Sequence, residues 1–338
     1  MDRKPAAPVP ATMIEAVRHF ADPGVAHDFF VSVRWPSGVA CPLQCGSVKV
    51  AYMPKRRRWY CNDCKGQFTA KTRTIFEDSP IGFDKWLPAI WLIASNRNGI
   101  SSCELARALG TTQKTAWFML HRIRAAMKDD GTIDPLTGEV EADETWVGGE
   151  LQHSRKARKL QRQGFKVNAF TPKTAVFGVV QRGGKARAWV VPRFSKRAVL
   201  PKLFSSVHHD ATVHTDESLL YSQIDERFLF HHTVNHAIEY VNGNKHINNV
   251  EGFWSVLKRT LGGTYIHCMP KHLEAYLDEQ LFRYNAREKH DAARFPLALA
   301  GAEGRRLTYE ALRTRALEGE ANVRFIPRSA TIKPSEEG

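Results

Sequence analysis

Apolar residues recur at helical spacing in several parts of the chain, most regularly between residues 246 and 263. There they lie three and four residues apart, which places them on one buried face of an amphipathic helix: Val250, Phe253, Trp254, Leu257 and Leu261. Two adjacent glycines then end the helical pattern. Glu251 and Lys258 share a different stripe, two helical turns or roughly 10 Å apart along the axis. The pattern therefore predicts a helix that presents a carboxylate and an ammonium group away from its packed face.

A second helical pattern covers residues 101–127 and contains a short break. Two amphipathic stretches are joined at the sequence Leu-Gly-Thr-Thr, which predicts a helix-turn-helix. The second helix would read DNA bases with the polar residues at its beginning: Thr112, Gln113 and Lys114. Helical hairpins are common, so a hairpin with a purely structural role is the alternative interpretation.

Residues 138–221 change to the patterns of strands. One strand is predicted within residues 138–150, and two more lie within residues 173–195 around the turn Arg-Gly-Gly-Lys. A helical pattern follows at residues 197–207, and then a short strand that ends at Asp216. Helical patterns resume from residue 249 to about residue 285. This order of elements predicts a mixed α/β domain.

Four of the six cysteines form a cluster near the N-terminus of the chain. They follow the pattern C-x3-C, fifteen residues, C-x2-C, which is close to the spacing of a zinc ribbon: Cys41, Cys45, Cys61 and Cys64. Four thiolates suit the tetrahedral coordination of structural Zn²⁺, and such a site can fold a module that lacks a core of its own. Two incidental cysteine pairs are the alternative. Cys103 and Cys268 stand apart and are expected to be small buried residues.

The positive charge of the chain is concentrated in one segment. The chain has 49 Lys and Arg against 35 Asp and Glu, a net charge of +14. Residues 151–209 contain 14 of these basic residues and no acidic one. Such a segment favours contact with a phosphate backbone, whereas a solvated basic loop is the alternative. The candidate contacts are the basic residues that open the segment, with one more on the predicted helix: Arg155, Lys156, Arg158, Lys159 and Lys166, and Arg259 beside Lys258.

Carboxylates lie where the predicted strands end. Asp143-Glu144 lie at the end of the first predicted strand and Asp216-Glu217 at the end of the fourth, and Glu251 lies 35 positions beyond Asp216. Carboxylates from adjacent strands and from a packed helix together provide the oxygen ligands that Mg²⁺ requires. Bound cations would also let an acidic site lie against the phosphates of DNA. Strand alternation predicts that Glu144 and Glu217 point away from this site.

No run of 18 apolar residues occurs, so no membrane span is expected. The N-terminal residues lack the apolar stretch of a signal peptide. These features predict a cytoplasmic protein.

The sequence resembles the DDE transposases of bacterial insertion sequences, in the group that carries an N-terminal zinc ribbon. The resemblance runs from about Arg34 to Arg287 and includes the segments AWFMLHRIRAAM, EADETWVGG, VHTDES and FRYNAR. Its most specific part is the order His246, Asn249, Glu251 within HINNVEGFWSVLKR. The chain departs from the group in its first zinc knuckle, which is one residue longer than usual.

This resemblance implies an α/β fold in which an RNase H-like mixed sheet is flanked by helices and is preceded by a zinc ribbon and a helix-turn-helix region. It also implies a catalytic triad of Asp143, Asp216 and Glu251 that binds Mg²⁺ or Mn²⁺. The expected activity is metal-dependent cleavage at the ends of the element and strand transfer into target DNA. The expected partners are double-stranded DNA and further copies of the chain in the synaptic complex. The expected location is the nucleoid in the cytoplasm.

The predicted domains are a tail with a short helix, a zinc ribbon, a helix-turn-helix region, the catalytic domain and a C-terminal extension, at residues 1–33, 34–78, 79–130, 138–290 and 291–338. Two alternatives to a transposase are considered. One is a DNA-binding regulator derived from a transposase, which the intact acidic triad disfavours. The other is a plain RNase H-type nuclease, which would have little use for DNA-reading modules at its N-terminus.

Overall fold

A computed structural model gives the architecture of the chain. It describes residues 9–43, 45–129, 131, 133–148, 155–164, 173–222, 224, 227–228, 230–234 and 246–314. Of the predicted site residues, Lys166 lies outside the described residues. No helix within the described ranges is long and apolar enough to cross a membrane.

Within the described residues, the N-terminal half contains five α-helices and a small sheet that share one hydrophobic core. The helices are α1 (Met13–Phe20), α2 (Pro23–Arg34), α3 (Phe83–Ser95), α4 (Ser102–Leu109) and α5 (Gln113–Met127). The second of them lies in the segment that was predicted to be mostly tail. It forms because the Asp22 carboxylate accepts hydrogen bonds from the backbone N–H groups of Gly24 and Val25, at 2.7 and 2.8 Å, and a proline opens its first turn.

The small sheet is antiparallel and carries the cysteine cluster. Its order is β1-β2-β3, and its strands are Val50–Met53, Arg58–Cys61 and Gln67–Phe68. Trp59 of β2 is buried and stacks on Phe68 of β3, with ring centroids 5.9 Å apart. Trp59 also stacks with His27 of α2, whose ring lies nearly parallel to it with the ring centroids 6.0 Å apart. These contacts join the ribbon to the helical core.

The second sheet has five strands in the order β6-β5-β4-β7-β8. The strands are β4 (Glu139–Val147), β5 (Thr174–Gln181), β6 (Ala186–Val191), β7 (Thr212–Asp216) and β8 (Phe230–Val234). Strand β5 pairs antiparallel with both β4 and β6, whereas β7 runs parallel to both β4 and β8. This mixed five-stranded sheet flanked by helices confirms the predicted α/β fold and is consistent with an RNase H-like domain.

Both faces of the second sheet are covered by helices. Alternating residues of β5 separate the two cores: Phe177 and Val179 pack on the side of α7 (Lys196–Ser206), and Val176 and Val180 on the opposite side. That opposite side is covered by α8 (Asn248–Gly263) and α9 (Leu273–Asn285). The predicted apolar stripe of α8 is buried in this core, which confirms the pattern read from the sequence.

The C-terminal part of the described chain returns to the N-terminal helices. Helix α10 (Asp291–Ala300) buries Phe295 and Leu299 in the core formed by α1 and α3. Residues that were predicted as an extension are thus part of the first core. A buried ion pair also joins the two halves, because Arg124 Nε of α5 donates to Glu279 Oε2 of α9 at 2.6 Å. Two further α-helices lie within the described residues: α6 (Arg155–Arg162) and α11 (Tyr309–Thr314).

Candidate active site and metal centres

The four clustered cysteines meet at one end of the small sheet. Their sulfur atoms lie within 4.8 Å of one another. The Sγ atoms of Cys41 and Cys64 are 3.7 Å apart, and those of Cys45 and Cys61 are 3.6 Å apart. A tetrahedral zinc ion with Zn–S bonds of about 2.3 Å would place its sulfurs about 3.8 Å apart. The cluster therefore fits structural Zn²⁺, and the longer first knuckle does not prevent this geometry.

The electrostatics of the ribbon also favour a thiolate at Cys61. Backbone N–H groups of Cys64 and Asp63 donate to its sulfur and lower its pKa to about 6. A thiolate is the form that binds zinc. The two remaining cysteines are placed differently from the prediction, since Cys103 is exposed and Cys268 is only half-buried.

The acidic site lies where strands β4 and β7 run side by side. Their parallel register pairs Val140 with Val213 and Glu141 with His214. Two residues further along, the same register brings Asp143 beside Asp216, so Asp143 lies in the middle of β4 and not at its end as predicted. The carboxylates of both residues lie within 4.8 Å of each other and of Glu144. The structure thus brings together the two aspartates that the sequence predicts for a cation site.

The crowding of these carboxylates changes their acidity. Burial raises the pKa of Asp143 to about 6, and the nearby charges of Asp216 and Glu251 add to the effect. Burial likewise raises the pKa of Glu144 to about 7, again helped by the two aspartates. Protons or a cation are therefore needed to compensate the negative charge that gathers here.

Glu144 contradicts the prediction that strand alternation turns it away from the site. Its carboxylate belongs to the same close set as those of Asp143 and Asp216, and the Tyr221 hydroxyl donates to it at 2.5 Å. The physical reason is that strand β7 ends at Asp216. Beyond this end no backbone of β7 separates the two faces of β4, so side chains from both faces can reach the Asp216 carboxylate. Glu217, by contrast, is exposed and does not join the set.

Helix α8 carries Glu251 in its first turn, on the side that faces solvent. Its carboxylate is outside the close set of three, although its charge raises the pKa of Asp143. The helix is attached to the site by Trp254, whose indole Nε1 donates to Asp143 Oδ2 at 3.1 Å. Lys258 and Arg259 are exposed further along the helix, where they are accessible to a phosphate backbone.

The predicted base-reading residues lie at the beginning of α5. Thr112 caps this helix, and its hydroxyl accepts a hydrogen bond from the N–H of Thr115 at 3.2 Å. Gln113 donates to the Ser102 hydroxyl at 2.8 Å, and the ammonium of Lys114 lies 4.9 Å from the ring centre of Tyr309. All three candidates are exposed, but each also has a contact within the protein.

Part of the predicted phosphate-contacting segment forms helix α6, which begins at Arg155 and includes Lys156. Arg158 and Lys159 are exposed on this helix. The helix contains no acidic residue, so no carboxylate within it offsets its positive charge.

Several residues that shape the acidic site were missed by reasoning from the sequence. Glu141 and Arg182 form a salt bridge at 2.8 Å behind the site, and Trp254 and Tyr221 hold two of its carboxylates. One sequence feature could have indicated Glu141, because it is a charged residue in a strand whose neighbours are apolar. The other three cannot be recognised without knowing which elements pack together.

Comparison with known proteins gives a consistent result. Residues 135–285 match a family described as the ISXO2-like transposase domain, and residues 23–67 match a transposase zinc-ribbon domain. A protein of the transposable element ISH50 from Halobacterium salinarum is 27% identical over 286 residues, which cover 80% of this chain and 96% of the relative. A transposase-like protein of Haemophilus influenzae is 32% identical over 100 residues, which cover 29% of this chain and 80% of the relative.

The two family matches include both candidate sites described above, since all four ribbon cysteines lie within one match and all three triad candidates within the other. The order of the modules, with the ribbon before the acidic sheet, is also the one that the sequence resemblance predicts. The chain belongs to the family of insertion-sequence transposases that combine a zinc ribbon with an ISXO2-like DDE domain.

Proposed function

We propose that this transposase cleaves DNA at the ends of its own insertion sequence and joins the freed 3′ ends to a target. The observation that carries the proposal is that Asp143, in the middle of β4, lies close to Asp216, at the end of the parallel strand β7, beside the helix that presents Glu251. Three carboxylates supplied by two strands and a packed helix suit a site for metal-dependent phosphoryl transfer.

The donor set fits a hard divalent cation such as Mg²⁺ or Mn²⁺. Asp143, Asp216 and Glu251 would hold it, and Glu144 lies close enough to assist. The raised pKa values of Asp143 and Glu144 fit this assignment, because burial and the neighbouring carboxylates both disfavour their charged forms, and a bound cation would offset that charge. When bound, such cations offset the negative charge on the attacking and leaving oxygens.

The residues of the chain would orient the reacting groups. The indole of Trp254 fixes the direction of the Asp143 carboxylate, and the Tyr221 hydroxyl does the same for Glu144. Lys258 and Arg259, exposed on the helix of Glu251, would hold a DNA phosphate along that helix. Aligning the substrate in this way accounts for a large share of the acceleration of phosphoryl transfer in general.

The other modules would supply the DNA contacts. We assign recognition of the terminal repeats to the zinc ribbon and to the beginning of α5, and backbone contacts to α6. Because joining two element ends requires two active sites, we propose that several copies of the chain assemble on the DNA. Because the proposed substrate is chromosomal DNA, we expect the protein to act at the nucleoid in the cytoplasm.

The test is a joining assay with a duplex that carries the terminal repeat, identified from the DNA that flanks the gene. Glu251→Gln keeps the shape of the side chain and the buried face of α8 but removes one negative charge. We expect it to lower Mg²⁺-dependent cleavage and joining by about 10² or more, whereas binding to the duplex should remain. Glu217→Gln is the matched control, since Glu217 adjoins Asp216 but is exposed outside the cluster.

Two outcomes would contradict the proposal. If Glu251→Gln joined DNA at nearly the normal rate, the triad would need another third member. If the unaltered protein bound the repeats but cut no DNA with Mg²⁺ or Mn²⁺, the chain would be a DNA-binding regulator derived from a transposase.

A further inference from the structure

A buried carboxylate, Glu141, connects strand β4 to the beginning of helix α8. Its side chain has 0% exposure. Oε2 accepts hydrogen bonds from the backbone N–H groups of Asn249 at 2.8 Å and Val250 at 3.1 Å, and Oε1 accepts one from the Asn249 side chain at 2.8 Å. The residue before the helix, Ile247, offers no side-chain cap. A strand residue 108 positions away therefore caps α8, a task that a neighbouring serine or aspartate usually performs.

The charge of Glu141 is compensated by basic groups. Arg182, which follows β5, donates from Nε to Glu141 Oε1 at 2.8 Å. Its Nη2 atom donates to the backbone oxygen of His246 at 2.6 Å, immediately before α8. The His246 ring nitrogen Nδ1 also lies 3.3 Å from Oε1. A buried carboxylate is stable only with such partners, and here the same arginine also holds the chain that enters the helix.

A second attachment lies one turn further along α8. Trp254 donates to Asp143, and Asp143 shares a face of β4 with Glu141 because the two residues are two positions apart. The ring of Trp254 lies over Gly178, the residue opposite Asp143 on β5. A Cβ atom at Gly178 would stand only 2.6 Å from this ring, so the strand must carry a glycine here. Glu251 lies between the two attachments.

We propose that Glu141 is a positioning residue that fixes the rotation of α8 over β4 and so holds Glu251 beside Asp143. It acts through the helix and contacts neither DNA nor cation. Side-chain tips lie about 5–6 Å from a helix axis, so a rotation of about 10° moves the carboxylate by about 1 Å. A misplacement of that size can lower a rate by about 10². This inference rests on the proposed role of Glu251.

The experiment compares Glu141→Gln with Glu139→Gln in the full-length protein. Glutamine keeps the volume, but it removes the charge and turns an amide N–H₂ toward the donors of Asn249 or Arg182. We expect a loss of joining of about ten- to a hundredfold, a higher Mg²⁺ concentration for half-maximal rate, and unchanged affinity for the terminal duplex. Glu139 is a close match because it lies on the same face of β4 and within 3.6 Å of Arg182, but its side chain is 38% exposed. Its variant should stay within about threefold of the unaltered protein.

A double variant separates positioning from general structural support. If Glu141 acts through Glu251, then Glu141→Gln combined with Glu251→Asp should lose less activity than the product of the two single losses. Multiplicative losses, or a Glu141→Gln protein that joins DNA within about threefold of normal at the same Mg²⁺ requirement, would overturn the inference.

A milder variant covers the case in which Glu141→Gln does not fold. Asn249→Ala removes one hydrogen bond to Glu141 and leaves the pair with Arg182 intact. We expect a smaller loss of joining, again accompanied by a rise in the Mg²⁺ concentration for half-maximal rate. A normal joining rate at the normal Mg²⁺ requirement would overturn the inference. Failure of the proposed function itself would look different, because either Glu251→Gln would join DNA at nearly the normal rate or the unaltered protein would cut no DNA.

Discussion

The acidic cluster should make the metal-free protein less stable than it could be, and Asp143→Asn should reveal this. The substitution removes one charge from three close carboxylates but leaves an amide oxygen that can accept the hydrogen bond of Trp254. We expect the variant to be catalytically inactive but more stable than the unaltered protein at pH 8. Such a gain is typical where function requires an unfavourable arrangement of charges.

The size of the effect follows from the acidity of Asp143. Its pKa stands at about 6, compared with 3.8 for an unperturbed aspartate. Each pH unit of difference corresponds to about 1.4 kcal/mol, so ionising the native carboxyl costs at most about 3 kcal/mol. The side chain is only partly buried, and asparagine must still bury an amide, so we expect a gain of about 1–2 kcal/mol in the free energy of unfolding.

The dependence on pH has a defined sign. The native pKa of Asp143 lies above its unfolded value, so between about pH 4 and 7 the native state holds more protons than the unfolded chain. The stability of the metal-free protein therefore falls as the pH rises through this range. About half of the advantage of Asp143→Asn should be lost at pH 5, where much of the native carboxyl is already protonated.

Urea unfolding at pH 5 and pH 8 measures both quantities. The buffer should lack divalent cations and chelators, because a chelator would remove zinc from the ribbon. Adding Mg²⁺ should stabilise the unaltered protein more than the variant, since the variant lacks one proposed ligand. The reasoning is refuted if Asp143→Asn is less stable than the unaltered protein at pH 8, or if its advantage is the same at both pH values.

The remaining predictions concern the ribbon and the basic helix. Elemental analysis should find about one zinc per chain, and less than about half a zinc in the unaltered protein would contradict this. Cys64→Ser should lose the metal and unfold the ribbon, while the unfolding transition of the large sheet remains. Four basic residues of α6 are neutralised in the last variant: Arg155, Lys156, Arg158 and Lys159. We expect weaker binding to all duplexes alike, and a slope of log affinity against log salt concentration that falls by about 0.9 per lost phosphate contact. An unchanged slope would exclude phosphate contact by these residues.

Local patterns in the sequence were sufficient for the elements that carry the chemistry. The apolar stripe of α8 and the strand that contains Asp143 depend on residues within a few positions of one another. The same holds for the two cysteine pairs of the ribbon. Periodicity and spacing act over such short distances, so they could be read without knowledge of the packing.

Elements without a strong local pattern were missed. The strand β8 has the sequence Phe-His-His-Thr-Val, with only its last residue buried, and it forms because β7 offers a parallel edge. Helix α10 has an apolar face that was assigned to an extension. Its place in the N-terminal core depends on contact with α3 and on the contact of Phe295 with Phe20 of α1, and both helices precede it by almost 200 residues or more.

The sequence by itself determined the order of modules, the ribbon ligands and the three candidate carboxylates, because each leaves a mark within a short segment. Only the tertiary structure decided how the acidic site is assembled. The position of Glu144 depends on where a neighbouring strand ends, and the capping of α8 by Glu141 joins residues 108 positions apart. Such contacts follow from the packing of whole elements, and no local pattern of hydrophobic and polar residues records them.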